Sequence, residues 1–122
     1  MPDPSSAQSN TPNEALAKLL DTTQALRASK QLTPTAQKAL ADLVGELGKA
    51  LASGKASNQE VARLAESVAL LNQSVADQEN REHSKRAARE RLQESIYRAE
   101  VKHPFLAGLA QQFLNILAEL GI

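Results

Sequence analysis

The last nineteen residues of the chain, Pro104 to Ile122, are its most apolar stretch and constrain the fold more than any other. On a helix with about 100° between successive residues, the polar side chains of this stretch form one narrow strip. The apolar side chains cover more than half of the circumference. A helix that lies on one neighbour needs an apolar stripe of only roughly 100°. We therefore expect this helix to contact two or more neighbouring helices.

Two environments suit such a closing helix. The first is the interior of a helical bundle or of an oligomer, and the second is a membrane surface or the groove of a partner protein. A transmembrane span is unconvincing because the stretch is close to the lower length limit of about 17 residues. Four polar or charged side chains also interrupt it.

The composition favours an all-α protein. Aromatic residues make up 2% of the chain, Ala and Leu are abundant, and no stretch alternates β-branched with polar residues, so no strands are predicted. The 14 basic and 14 acidic residues balance, so no overall field attracts nucleic acid or an anionic membrane. The absence of cysteine excludes disulfides, thiolate metal sites and cysteine nucleophiles.

The composition of the first residues and the helix-start and helix-stop signals predict a polar tail followed by one helical domain. Residues 1–10 have almost nothing to bury and are interpreted as a disordered tail. They lack the basic start and apolar core of a secretory signal, so a cytoplasmic protein is expected. Residues 11–122 are expected to form a single all-helical domain, with helices at about 12–29, 34–53, 58–102 and 104–120.

Helix-start and helix-stop signals support these boundaries. Thr11 and Thr33 each precede a proline, and Ser57 opens a capping box. Pro104 ends the preceding helix, so that His103 is expected to cap the last one. Gly121 is the expected left-handed residue after the final turn.

The third predicted helix is unusually long. From Val61 to Ala99 a heptad pattern steps along at alternating three and four residues, with no Gly or Pro between residues 58 and 103. Its middle is polar, since nine of the fifteen residues from Asp77 to Arg91 are charged. The pattern favours one continuous, coiled-coil-like helix over 58–102, roughly 65 Å long. The alternative is a flexible or turned segment near Glu79–Ser84.

This arrangement predicts helical hairpins packed on one long helix, with two small apolar clusters joined by a charged stalk. Neither cluster buries enough surface to be stable alone. The apolar face of the closing helix is also too wide for a single hairpin partner to cover. We therefore expect a homo-oligomer that self-associates through the closing helix, with a helical protein partner as a further option. The alternative is a peripheral membrane or lipid-binding module that uses the same helix. The predicted interface residues are Phe105, Leu106, Leu109, Phe113, Leu114, Ile116, Leu117, Leu120, Leu92 and Ile96.

No pattern in the chain indicates catalysis, a cofactor or a metal. His83 lies among polar residues and is interpreted as a solvated surface histidine. Glu100 and His103 have the Glu-x-x-His spacing of di-metal helical bundles, but there is no second copy and Pro104 disrupts the geometry. There is no phosphate loop and no nucleophile elbow. We expect a protein that is not an enzyme.

A basic strip is the remaining candidate for binding. Arg81, Lys85 and Arg89 recur at a spacing of four and would suit phosphates. Acidic residues interleave with them, and no aromatic side chains are available for stacking on bases. Solvation of a charged helix explains the strip better than nucleic-acid binding does.

The C-terminal residues resemble those of a known family. Glu100, the pair His103-Pro104, Leu106, Leu117 and the ending Leu120-Gly121-Ile122 are similar to the C-terminus of a small bacterial family catalogued only as a domain of unknown function. The match covers about the last thirty residues. The resemblance implies a bacterial source and a helical fold, and it implies no activity, substrate or catalytic residue.

Overall fold

The computed structural model describes residues 12–52, 58–76 and 82–121, and every regular element in these ranges is an α-helix. The prediction of an all-α protein is confirmed. In chain order the helices are α1 (Pro12–Ala28), α2 (Pro34–Ala52), α3 (Asn58–Ala76), α4 (Glu82–Glu100) and α5 (Pro104–Glu119).

The ends of these helices follow the local chemistry of the sequence. At the start of α2, the hydroxyl of Thr33 accepts a hydrogen bond from the backbone N–H of Ala36 at 3.2 Å, as an N-cap residue should. Beyond the end of α5, Gly121 has a φ of +77° and donates its backbone N–H to the carbonyl of Ala118. The predicted start of α2 and the predicted stop of α5 are therefore confirmed.

The prediction of one continuous helix over residues 58–102 is wrong. The hydroxyl oxygens of Ser67 on α3 and Ser95 on α4 lie 2.6 Å apart, although 28 residues separate them in the sequence. In one straight helix they would be about 42 Å apart. The helix α4 therefore runs back along α3, which agrees with the alternative of a turn. Residues 79–81 of the segment proposed for that turn lie outside the described residues, and residues 82–84 belong to the first turn of α4.

The helix α3 occupies the centre of the molecule. It packs against α1, α2 and α4, while α5 packs against α4 and α2. The amide of Gln31 donates to the carbonyl of Val75 at 2.7 Å, and the amide of Asn72 donates to the hydroxyl of Thr23 at 3.3 Å, so α1 runs parallel to α3. These two helices can be parallel because α2, which lies between them in the sequence, brings the chain back to the starting end.

The five helices share the same hydrophobic core. Leu19, Leu43, Leu64, Leu92 and Phe113 come from α1 to α5 respectively, and each is fully buried in that core. The prediction of two apolar clusters joined by a charged stalk is therefore wrong. The prediction failed because it assumed one straight helix over 58–102. Since α4 instead runs back along α3, α5 packs against α2.

The apolar residues of α2 recur at helical spacing and face this core, where Leu40, Leu43, Leu47 and Leu51 are buried. On α1, Leu20 lies outside the core and is 49% exposed.

Candidate functional site

The predicted interface divides into buried and exposed parts. Phe105 and Leu120 are exposed, while Leu109 and Ile116 are half-buried against the core. Six of the ten predicted residues are buried within the chain itself: Leu92, Ile96, Leu106, Phe113, Leu114 and Leu117. Because α2 and α4 together cover the wide apolar arc of α5, its composition needs no second chain to explain it. Self-association stays a prediction, and it now rests on the exposed residues alone.

The exposed residues concentrate where α4 passes into α5. Tyr97 is 70% exposed, Val101 85% and Phe105 64%, and these three large side chains follow one another at a spacing of four. We call them the apolar tip. Sequence reasoning included Phe105 among the interface residues but not Tyr97 or Val101. The signal that could have found both is the continuation of the same spacing across the helix junction.

A shallow groove between α4 and α5 adjoins the apolar tip. Its volume is about 500 Å³, and Tyr97 lines one wall of it. Gly108 on α5 also lines this groove, and a Cβ atom placed there would meet nothing within 4 Å. Glu100 is the one side chain among the described lining residues that is charged at neutral pH. The groove therefore offers sterically open space, with one charged lining residue, beside exposed apolar side chains.

The junction residue His103 occupies the N-cap position of α5, as predicted, but its side chain forms no cap hydrogen bond. Its backbone carbonyl instead accepts the N–H of Ala107 at 3.0 Å. Its Nε2 atom is buried and has no hydrogen-bond partner among the residues that the structure describes. The side chain of His83 lies outside the described part, so the expectation of a solvated histidine is not addressed.

A second, larger groove of about 870 Å³ lies on the opposite side of α4, where α1, α3 and α4 meet. We call it the three-helix groove. Its floor is the only side of α3 that neighbouring helices leave open, and the hydrogen-bonded pair Ser67–Ser95 lies there. Charged side chains of both signs line this groove. The positive ones include Lys18 on α1, Arg63 on α3 and Arg91 on α4.

The carboxyl group of Glu66 is the most perturbed group in the three-helix groove. Burial raises its pKa above the ordinary value of 4.5, and the nearby charge of Glu14 acts in the same direction. The positive charges of Lys18, Arg63 and Arg91 act to lower the pKa but do not cancel the effect of burial. The Oε2 atom of Glu66 is buried and has no hydrogen-bond partner within the described ranges. The site thus holds an incompletely satisfied carboxyl group surrounded by three cations.

The basic strip of Arg81, Lys85 and Arg89 lies only partly within the described residues. Arg81 lies outside the described residues, while Lys85 and Arg89 are half-buried on α4. Arg86 and Arg89 line a third depression between α4 and α5, together with Glu90 and neutral side chains. The acid among these bases is consistent with the expectation that the strip is a solvated helical face.

Within the described ranges, no helix is both long enough and apolar enough to cross a membrane. The same residues contain no group of three or more His, Asp and Glu side chains that could hold a metal ion.

The fold and its grooves define an all-helical protein with candidate binding surfaces. The chain belongs to the family described as "Domain of unknown function (DUF4404)", whose model matches residues 37–122. This confirms the expected membership of an uncharacterised helical family, while the bacterial source stays a prediction. A search of curated proteins and a search of solved structures each return no match.

Proposed function

We propose that this protein is a non-enzymatic interaction protein that self-associates through the apolar tip of its α4–α5 hairpin. The observation that carries the proposal is the exposure of Tyr97, Val101 and Phe105 beside the open groove at Gly108. Large exposed apolar side chains that occur close together are typical of interaction sites.

A second copy of the chain suits this surface better than other partners do. A two-fold symmetric interface needs one patch that carries both a projecting group and a cavity that receives it. The apolar tip supplies Phe105 as the projecting group, and the adjoining groove supplies open space for it in the partner. The described lining of that groove contains no basic residue, which disfavours phosphate groups of lipids or nucleic acids.

Polar substitutions at the tip test the proposal without opening the core. The change Phe105→Ser with Val101→Ser removes two exposed side chains, whereas changes at Phe113 or Leu117 would destabilise the fold whatever its oligomeric state. We expect the native protein at micromolar concentration to show twice the 13.1 kDa mass of one chain by light scattering. The double variant should show the mass of one chain with unchanged far-ultraviolet circular dichroism.

The matched control is Leu20→Ser, which removes a large exposed apolar side chain from α1, away from the tip. It should leave the doubled mass intact. A native protein that stays at the mass of one chain over the whole concentration range would overturn the proposal. In that event, co-sedimentation with phosphatidylcholine–phosphatidylglycerol vesicles tests the alternative, a membrane-surface module that uses the same tip.

A further inference from the structure

The three-helix groove brings positive charges from three different helices towards one place. Lys18, Arg63 and Arg91 all line it, and all three are close enough to Glu66 to influence its ionisation. Within the described ranges, the charged groups of these three side chains form no ion pair and no hydrogen bond. Side chains with long, mobile stems that converge without partners are available to a ligand.

The negative charges of the groove do not offset these cations fully. Glu94 is paired with Arg98 on the same helix at 3.3 Å. Asp21 and Glu66 are the two acids of the described lining outside that pair. An arriving anion would therefore meet three unpaired cations against two acids.

The size and the polar groups of the groove suit a small molecule. Its volume of about 870 Å³ falls inside the usual range of roughly 300–1,000 Å³ for ligand pockets. The hydroxyl groups of Ser67 and Ser95 lie on its floor, while Thr22 lies on the α1 wall. Guanidinium groups bind carboxylates and phosphates through two parallel hydrogen bonds, which favours a planar or tetrahedral oxyanion here.

We propose that the three-helix groove binds a small ligand that carries a carboxylate or phosphate group, held by Lys18, Arg63 and Arg91. The groove uses the face of α4 opposite to Tyr97, so this site is independent of self-association at the apolar tip. Asp21 and Glu66 then discriminate against ligands of high negative charge, because each adds repulsion at short range.

Nuclear magnetic resonance of the ¹⁵N-labelled full chain tests the proposal, with inorganic phosphate and citrate as separate probes and sodium chloride at matched ionic strength as the reference. Saturable shifts should appear in the backbone amides of residues 18–25, 63–73 and 91–98. Saturation by citrate alone would identify a carboxylate ligand, and saturation by phosphate alone a phosphate ligand; either supports the site. Shifts no larger than those caused by chloride, with both probes, would overturn it.

Single substitutions then assign the binding to the named residues. Arg63→Gln and Arg91→Gln should each weaken binding by about threefold to tenfold, the loss expected for one charge-assisted contact near solvent. Arg27→Gln is the matched control, because it makes the same change of charge at an exposed position outside the groove. Equal weakening by the control would reduce the effect to overall charge and refute the proposal.

Glu66→Gln separates ligand binding from simple damage to the fold. This change removes a negative charge beside the three cations and should tighten binding by a few-fold, which a destabilised groove would not do. If Arg63→Gln or Arg91→Gln fails to fold by circular dichroism, the Glu66 variant still decides the matter. Unchanged or weaker binding in that variant would contradict the arrangement proposed here.

Discussion

The hairpin formed by α3 and α4 can be tested with a pair of introduced thiols. The hydroxyl oxygens of Ser67 and Ser95 are 2.6 Å apart, and the chain contains no cysteine. Ser67→Cys combined with Ser95→Cys therefore creates the only two thiols in the protein. Their proximity should allow an intramolecular disulfide under mild oxidation.

The size of the expected effect follows from the length of the closed loop. The two positions are 28 residues apart, and a crosslink over such a loop removes conformational entropy from the unfolded chain worth about 3.6 kcal/mol at 25 °C. The Ser67–Ser95 hydrogen bond is absent from both the oxidised and the reduced form of this variant, so its loss does not enter their comparison. The oxidised variant should therefore unfold at a clearly higher temperature than its own reduced form, by roughly 10 °C or more.

The assay combines non-reducing gel electrophoresis, intact mass and thermal unfolding with and without reductant, at low micromolar protein. Each single cysteine variant is the control, since it can form only a disulfide between two chains. A continuous helix over 58–102 would hold the two thiols about 42 Å apart. Failure to form the intramolecular disulfide, or formation of dimers alone, would therefore refute the antiparallel hairpin.

Three further predictions concern the core and the three-helix groove. Phe113→Ala should lower the free energy of unfolding by about 3–5 kcal/mol, because this side chain is fully buried. The same change at the exposed Phe105 should lower it by less than about 1 kcal/mol in dilute solution; equal losses in urea titrations would mean that α5 is oriented differently. Because the folded state raises the pKa of Glu66 above 4.5, that state binds the proton more tightly, so the stability of the native protein falls as pH rises through the interval above 4.5. Solvent screening limits this effect to about a few tenths of a kcal/mol, and Glu66→Gln should remove it from the pH dependence of urea midpoints; an unchanged pH profile would argue against the burial of this carboxyl group. Asn72→Leu alone leaves the hydroxyl of Thr23 without its donor, whereas Asn72→Leu with Thr23→Val removes both polar groups, so the double variant should be at least as stable as the single one; the reverse order in calorimetry would contradict this.

The local features of the fold were predictable because they depend on neighbouring residues. Thr33 with Pro34 fixes the start of α2, and Pro104 with Gly121 brackets α5, since each residue type limits the backbone or satisfies its free groups. The buried stripe of α2 also follows from spacing alone. These signals act within one helical turn, so they survive in a single sequence.

The reversal between α3 and α4 was not predictable from the same signals. Val61 to Val75 and Leu92 to Ala99 are two apolar stripes, and they happen to share one heptad register across the polar middle. Each helix of an antiparallel hairpin needs such a stripe, so register does not distinguish one long helix from two short ones. No Gly or Pro marks the boundary, and the density of charge from Asp77 to Arg91 was the remaining sign.

The candidate sites could not be predicted for the same reason. Lys18, Arg63 and Arg91 are spread over more than seventy residues, and only the return of α4 along α3 brings the third of them to the first two. The same return carries α5 onto α2, which buries Phe113 and leaves Phe105 outside. The reversal of α4 along α3 therefore decides both how much of the closing helix remains for a partner and whether the three-helix groove exists. A surface that the sequence assigned to an apolar interface is mainly core, and the exposed residues that can bind lie at its tip and in the groove.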